Sequence, residues 1–316
     1  MKVKNLFIKL APLIGLLLLI AGYFILGTVK DVNVRYGLRT IVNQSVVVAV
    51  VATGAVFIYT LGSFDISLGA STAVSALLGG MTYLKTENIL MSFVVCVGAA
   101  ILIALLNSVL ASVFNLPVFV TTIAMLSVLN ALVLLLITLN GTGSEIAVPA
   151  AAVKALDTLG FKIAVLAIYF FICLFLFDFT PVGRKEKFLG GNALCAKLTG
   201  ISISKYSIIA FVICGIGVGL GAFLSLVYAP TLTRNTASSV GMDVIIAIVF
   251  GGMPVSGGAR SRIYAAVIGA FSMSFLSQIM IMFSLNSGVG QMVKAMIFLL
   301  VVFVAAGERK RGSLPR

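Results

Sequence analysis

The sequence predicts an all-α, polytopic helical membrane protein with about ten transmembrane helices and an internal two-half organisation. Three observations carry this. Of 316 residues, 61% are hydrophobic and only 10% charged, at a mean hydropathy of +1.20. A soluble domain carries about 25% charged residues, and one of this size has no interior for such an apolar excess. Apolar runs of about 20 residues, the length that crosses a bilayer, recur along the chain. Most basic residues fall between those runs, where cytoplasmic loops hold Lys and Arg.

These observations exclude other classes. The net charge of +13, from 22 Lys+Arg against 9 Asp+Glu, would point to nucleic acid in a soluble protein. Distributed between apolar runs, it points to a lipid membrane and no nucleic acid. The chain has no His, so His-liganded metals, Ser-His triads and His proton relays are absent. Its four Cys (Cys96, Cys173, Cys195, Cys214) form no C-x-x-C. Three lie in apolar runs and read as small packing residues, with no disulfide framework.

Helices are predicted near 10–29, 43–61, 67–84, 89–113, 118–139, 161–179, 206–228, 242–255, 263–284 and 290–306. The first follows Lys2, Lys4 and Lys9 and looks like a signal peptide. Its apolar run exceeds the usual 7–15 or so residues and no A-x-A site follows, so it reads as a retained helix. With the N-terminus inside, ten crossings put fourteen basic residues in the N-terminus, 180–205, 256–262 and 307–316. Seven fall outside, and Lys294 lies within the last helix. This asymmetry predicts two cytoplasmic termini.

The whole chain, 1–316, reads as one permease domain, with halves at about 41–139 and 206–306. Each half has a run broken by a carboxylate and small residues, Ser63 to Gly69 and Gly241-Met242-Asp243. Discontinuous helices of this kind occur in transporters built from repeats. The two breaks do not fall at matching offsets.

Individual residues support graded readings. Asp65 can cap a helix through the amides of Ser67 or Leu68, or touch a solute; Asp243 reads as a cap. Lys294 reads as a residue snorkelling to the outer interface, with an ion-pair role as the alternative. Glycines 215, 217, 219 and 221 give overlapping G-x-x-x-G spacings for close helix packing. Polar residues within spans are few: Asn107, Thr121, Thr122, Asn130 and Gln278. With Asp65, the candidates for a solute pathway are Asn107, Thr121, Thr122 and Gln278, which suit an uncharged, hydroxyl-rich molecule. No G-x-x-x-x-G-K-[ST] occurs, so ATP driving transport must be hydrolysed by another polypeptide.

The segment 181–205 mixes basic, small and apolar residues. Gly190-Gly191-Asn192 supplies a turn and a cap, Ala193, Ala196 and Leu198 share a face, and Gly200 supplies a stop. Such a helix rests on lipid headgroups or docks in a partner's groove.

GRKEKFLGGNALCAKLTGIS in this segment resembles the cytoplasmic loop of ribose-type ABC importer permeases, at Gly183, Arg184, Gly190, Gly191, Asn192, Ala196, Gly200 and Ile201. FDISLGA (64–70), NLPVFVTTIAMLSV (115–128) and the run 242–271 around GGMPVSGG resemble three further family segments in the same order. The chain departs from the pattern at Arg260, Arg262 and Tyr264, where family glycines stand, and at Met253-Pro254.

The resemblance favours docking. It implies a membrane-spanning permease subunit of an ABC importer in the bacterial cytoplasmic (inner) membrane, moving a small polar solute, most often a monosaccharide. It implies three partners: an ABC ATPase subunit, a second permease, identical or paralogous, and an extracytoplasmic solute-binding protein. The chain would catalyse no bond chemistry and hold no cofactor. By resemblance the loop residues that couple to the ATPase are Arg184, Gly190, Gly191, Asn192, Ala196 and Gly200. The alternatives are an ion-coupled secondary transporter of small solutes and, in a third class, a passive channel or scaffold.

Overall fold

Residues 2–30, 33–140 and 145–312 are described in a computed structural model of the chain. Ten long or medium helices account for the expected spans: α1 (Lys2–Val29), α2 (Val34–Thr60), α3 (Leu68–Thr86), α4 (Ile89–Val113) and α5 (Val118–Asn140). After a one-turn helix α6 (Ala150–Val153) come α7 (Leu159–Leu174), α10 (Ile203–Tyr228), α11 (Val240–Phe250), α12 (Tyr264–Met282) and α13 (Ser287–Gly312). Between α7 and α10 lie α8 (Pro181–Gly191) and α9 (Ala193–Leu198). Among the described residues, seven helices are long and apolar enough to cross a membrane; α11 and the stretch Gly288–Leu300 of α13 are apolar but shorter.

Local chemistry sets the ends. Asn33, Asn88, Thr158, Thr180, Asn192 and Ser202 each cap a helix, their side-chain oxygens accepting a backbone amide of the first turn. Pro181 occupies the first turn of α8, where its missing N–H is not needed. Several boundaries differ from expectation, α1 beginning at Lys2 rather than 10 and α13 ending at Gly312 rather than 306. α2 begins nine residues earlier than predicted, because the Asn33 cap starts a helix whose first turns carry Arg35 and Arg39. α11 stops at Phe250 rather than 255, where Gly252 turns the chain at φ +90°. The segment 181–191 is itself helical. Two three-residue strands, β1 (Glu145–Ala147) and β2 (Thr231–Thr233), pair antiparallel, Ile146 opposite Leu232, and no apolar pattern announced them.

α2 and α10 cross at the centre. Residues 45–60 of α2 are buried throughout. The glycines of α10 face two ways. Gly215 and Gly219 lie against the backbone of Ile101 and Val97 on α4, while Gly217 and Gly221 lie against Val50 and Val51 on α2. Close backbone approach of this kind is how helices associate where lipid removes the hydrophobic drive. α2 also packs on α11 and α12, and α10 on α3 and α4. α3 carries α4 and α5, as α11 carries α12 and α13. Exchanging α2–α5 with α10–α13 leaves this scheme unchanged. The first turns of α3 and α11 meet at its centre, where a β-carbon on Gly69 would lie 2.9 Å from the Gly241 nitrogen.

Candidate functional site: a two-helix segment on a glycine knot

α8 and α9 sit at the end of the molecule where α2 ends and α10 begins. Thr60, the last residue of α2, has a carbonyl that accepts the Gly258 amide at 2.9 Å. A β-carbon at Gly190 would overlap that same carbonyl, so α8 seats directly on it. A β-carbon at Gly258, at φ +83°, would stand 3.2 Å from the backbone of Gly190 and Gly191. Gly257 closes over Thr60 and the Gly62 amide. Two distant glycine pairs, Gly190-Gly191 and Gly257-Gly258, therefore interlock around one carbonyl. At the other end of α8, Gly183 lies flush on the Phe177 backbone.

α9 follows as a capped unit. Asn192 Oδ1 accepts the Cys195 amide at 3.0 Å. At its end the Gly200 amide donates to Lys197 and the Ile201 amide to Ala196, with Gly200 at φ +80°. This pair of bonds is a Schellman stop, which needs the left-handed conformation glycine tolerates. Ala196 is completely buried, packed with Leu189 and Tyr206 inside this chain. The expectation that Ala193, Ala196 and Leu198 form one outward face is thus corrected. Ala196 points inward because i+2 spacing sets it across the helix from Leu198. The outward apolar face is Leu194 and Leu198, which are 69% and 80% exposed, with Phe188 beside them. Arg184 and Gly191 are exposed as well.

One residue here had no signal in the sequence. Glu186 is fully buried on the inner face of α8, and neither carboxyl oxygen has a hydrogen-bond partner. Its basic neighbours are turned elsewhere: Lys187 pairs with Asp178 at 2.7 Å and Lys185 lies over the Tyr206 ring. Burial alone pushes the carboxyl up to about 9.

The polar residues within spans divide into groups. Asp65 Oδ1 accepts both the Ser67 amide (2.8 Å) and the Ser67 hydroxyl (2.7 Å), which sets the turn into α3. Asn107 Nδ2 donates to Ser67 Oγ at 2.9 Å, and Thr122 Oγ1 accepts the Ile66 amide at 3.4 Å. Asp65, Asn107 and Thr122 are thus gathered at the α2–α3 break. Thr121 bonds back to Val118 in its own helix. Gln278 lies apart, next to Gly37. All five are buried. Asp65 and Asn107 border a void of about 10 Å³, room for roughly one water.

Two charged networks replace simpler expectations. Lys294 does not snorkel to an interface. Its Nζ donates to Asp243 at 2.7 Å, tying α13 to the first turn of α11, so Asp243 is an ion-pair partner rather than a cap. Lys162, buried at the start of α7, pairs with Asp157 and reaches Asn43 Oδ1, while Arg39 holds the other oxygen of Asp157 at 2.8 Å. Among the described residues, no group of His, Cys, Asp and Glu is placed to hold a metal.

Known proteins match this chain over most of its length. The family model for the permease component of branched-chain amino acid transport systems matches residues 37–305. The ribose import permease protein RbsC of Escherichia coli (strain K12) is 24% identical over 283 residues, covering 84% of each chain. Its namesake in Bacillus subtilis (strain 168) is 25% identical over 322 residues, 96% of this chain and 94% of the relative. The xylose transport system permease protein XylH of Haemophilus influenzae is 30% identical over 151 residues, 48% of this chain and 40% of its own. No solved structure matches significantly. The glycine knot joins segments that all lie within the matched range, and the chain belongs to this family of transport-system permease components.

Proposed function

We propose that the chain is the membrane-spanning subunit of an ATP-driven importer for a small hydroxyl-rich solute, a monosaccharide by analogy with its relatives. Two such permeases would share a separate ABC ATPase, and an extracytoplasmic solute-binding protein would deliver the solute. The observation that carries the reading is the α8–α9 segment. It offers Leu194 and Leu198 to the outside and rests on the glycine knot at the end of α2. A push on α9 would be delivered through Gly190 to Thr60 and Gly258. It would reach the α2–α3 break and the α11–α12 turn together. The ATPase residues of the loop would be Leu194 and Leu198, held in place by Asn192, Ala196 and Gly200. Arg184 and Gly191 are exposed on α8.

The chain would lie in the bacterial inner membrane with both termini cytoplasmic, a reading supported by the fourteen-to-seven distribution of basic residues. A division into two halves at about 41–139 and 206–306 is supported by the packing scheme that survives the exchange of α2–α5 with α10–α13. Family membership favours this reading over an ion-coupled secondary transporter. The test is Leu198→Asp, at an exposed site whose change leaves the fold intact. Permease abundance should stay normal, while the co-purified ATPase and uptake both fall. Full uptake with a stoichiometric ATPase would refute the docking assignment.

A further inference from the structure

At the far end of α10 from the coupling segment lies an open groove of about 390 Å³. The 26 residues of α10 separate the two ends by about 40 Å at 1.5 Å per residue, so in an importer the groove opens on the side where solute arrives. It is bordered by Asn130, Ala131, Val133 and Leu134 on α5 and by Arg234 and Asn235 just after β2. Its size falls within the roughly 300–1,000 Å³ of small-molecule sites. The pathway candidates buried at the α2–α3 break border room for only about one water.

The groove's chemistry is specific. Ala131 and Leu134, exposed on α5, give an apolar wall of the kind that receives the C–H face of a sugar ring. Asn130 and Asn235 each offer amide donors and an acceptor to hydroxyls. Arg234 adds a planar fork of donors that matches carboxylate and phosphate oxygens. The turn that presents it is fixed by its neighbours. The Thr233 amide donates to Thr236 Oγ1 at 2.8 Å and the Asn235 amide to Thr233 Oγ1 at 3.3 Å. Glu145, opposite Thr233 in the strand pair, is the nearest acid by register. Arg234 makes no ion pair with it or with any other acid among the described residues. A guanidinium held on a rigid turn, beside two amides and no paired acid, is arranged for an anion carried by a polyol.

We propose that Asn130, Arg234 and Asn235 form a solute subsite for a monosaccharide bearing one anionic group, a carboxylate or a phosphate ester. The assignment rests on the importer reading and deepens it, because it replaces the uncharged solute that the span residues alone suggested.

The test uses the permease–ATPase complex in lipid nanodiscs and saturation-transfer NMR with D-glucuronate, D-ribose 5-phosphate and neutral D-glucose at millimolar concentration. Wild type should transfer saturation to at least one anionic sugar and much less to glucose. Arg234→Gln should weaken anionic binding about tenfold or more, the worth of a charge-assisted bond. Arg234→Lys should restore part of it, and ATPase retention should be unchanged in both variants. Response to glucuronate alone or to the phosphate ester alone would identify the anion. Equal response to glucose, no response to any sugar, or unchanged binding in Arg234→Gln would each overturn the subsite. So would a loss confined to capture of the solute-binding protein. The importer reading would still stand on the Leu198→Asp result.

Discussion

Replacing Glu186 by Gln isolates the cost of keeping a carboxyl in the seam beneath α8. The side chain is completely buried, its oxygens are unpartnered, and burial pushes it from 4.5 to about 9. The folded protein therefore keeps this proton at pH values where an exposed glutamate has lost it. Between about pH 4.5 and 9 the folded state binds more protons than the unfolded one, so stability falls as pH rises. One pK unit is about 1.4 kcal/mol. At neutral pH, some 2.5 units above the ordinary value, the penalty is on the order of 3 kcal/mol, and at the alkaline limit it approaches about 6 kcal/mol. Glu186→Gln keeps the shape and removes the titration. Thermal unfolding of wild type and variant in detergent should agree at about pH 4.5 and diverge at higher pH, the variant becoming the more stable. Glu186→Leu should behave alike, since a leucine leaves no polar atom unpaired. Parallel pH profiles for wild type and Glu186→Gln would refute the reasoning. The same energy bears on transport, because any conformation that lifts α8 and wets Glu186 is favoured by the amount the seated one loses.

Gly190→Val should dislodge α8 from the Thr60 carbonyl and lower both melting temperature and uptake, whereas Gly191→Ala, with open space around its β-carbon, should leave both unchanged. Equal effects of the two would remove the knot from the mechanism. Lys294→Met leaves Asp243 as an unpaired charge within an apolar packing layer, at a cost of about 3–5 kcal/mol. Abundance and melting temperature should drop and should recover in part when Lys294→Asp is combined with Asp243→Lys. A single variant with wild-type stability would show that the pair does not hold α13 to α11.

What was legible in the sequence was what short-range chemistry determines. Apolar runs, most of them of bilayer length, located the ten long or medium helices, and Asn192 with Gly200 marked the ends of α9 because a cap and a Schellman stop are local. Long-range pairings left no such trace. Lys294 and Asp243 are 51 positions apart, and nothing in either neighbourhood names the other. The face of α9 is not legible in the sequence because a six-residue helix has too few positions to define an apolar stripe. Ala196 then looked as available as Leu198, although one is buried and the other 80% exposed. In the sequence Glu186 is one acid among the basic residues of 181–205. A carboxylate at that spacing is ordinarily solvated, and only tertiary contact turns it inward.

The glycine motifs show where pattern and mechanism part. Gly190-Gly191 and Gly257-Gly258 were visible as family signatures, yet local turn chemistry alone would explain either pair. Their shared role exists only because α2 ends with its Thr60 carbonyl between them, accepting the Gly258 amide and leaving no room for a side chain at Gly190. A helix C-terminus has carbonyls without intrahelical donors, and these need partners when buried. At the end of α2 that need is met by the Gly258 amide of the α11–α12 turn. α8 lies against the same atom. Movement of α8 would therefore disturb the bond between the end of α2 and the α11–α12 turn, and under the proposed coupling role the geometry that completes the end of α2 would also give the outer surface of α9 a short mechanical route to the membrane helices.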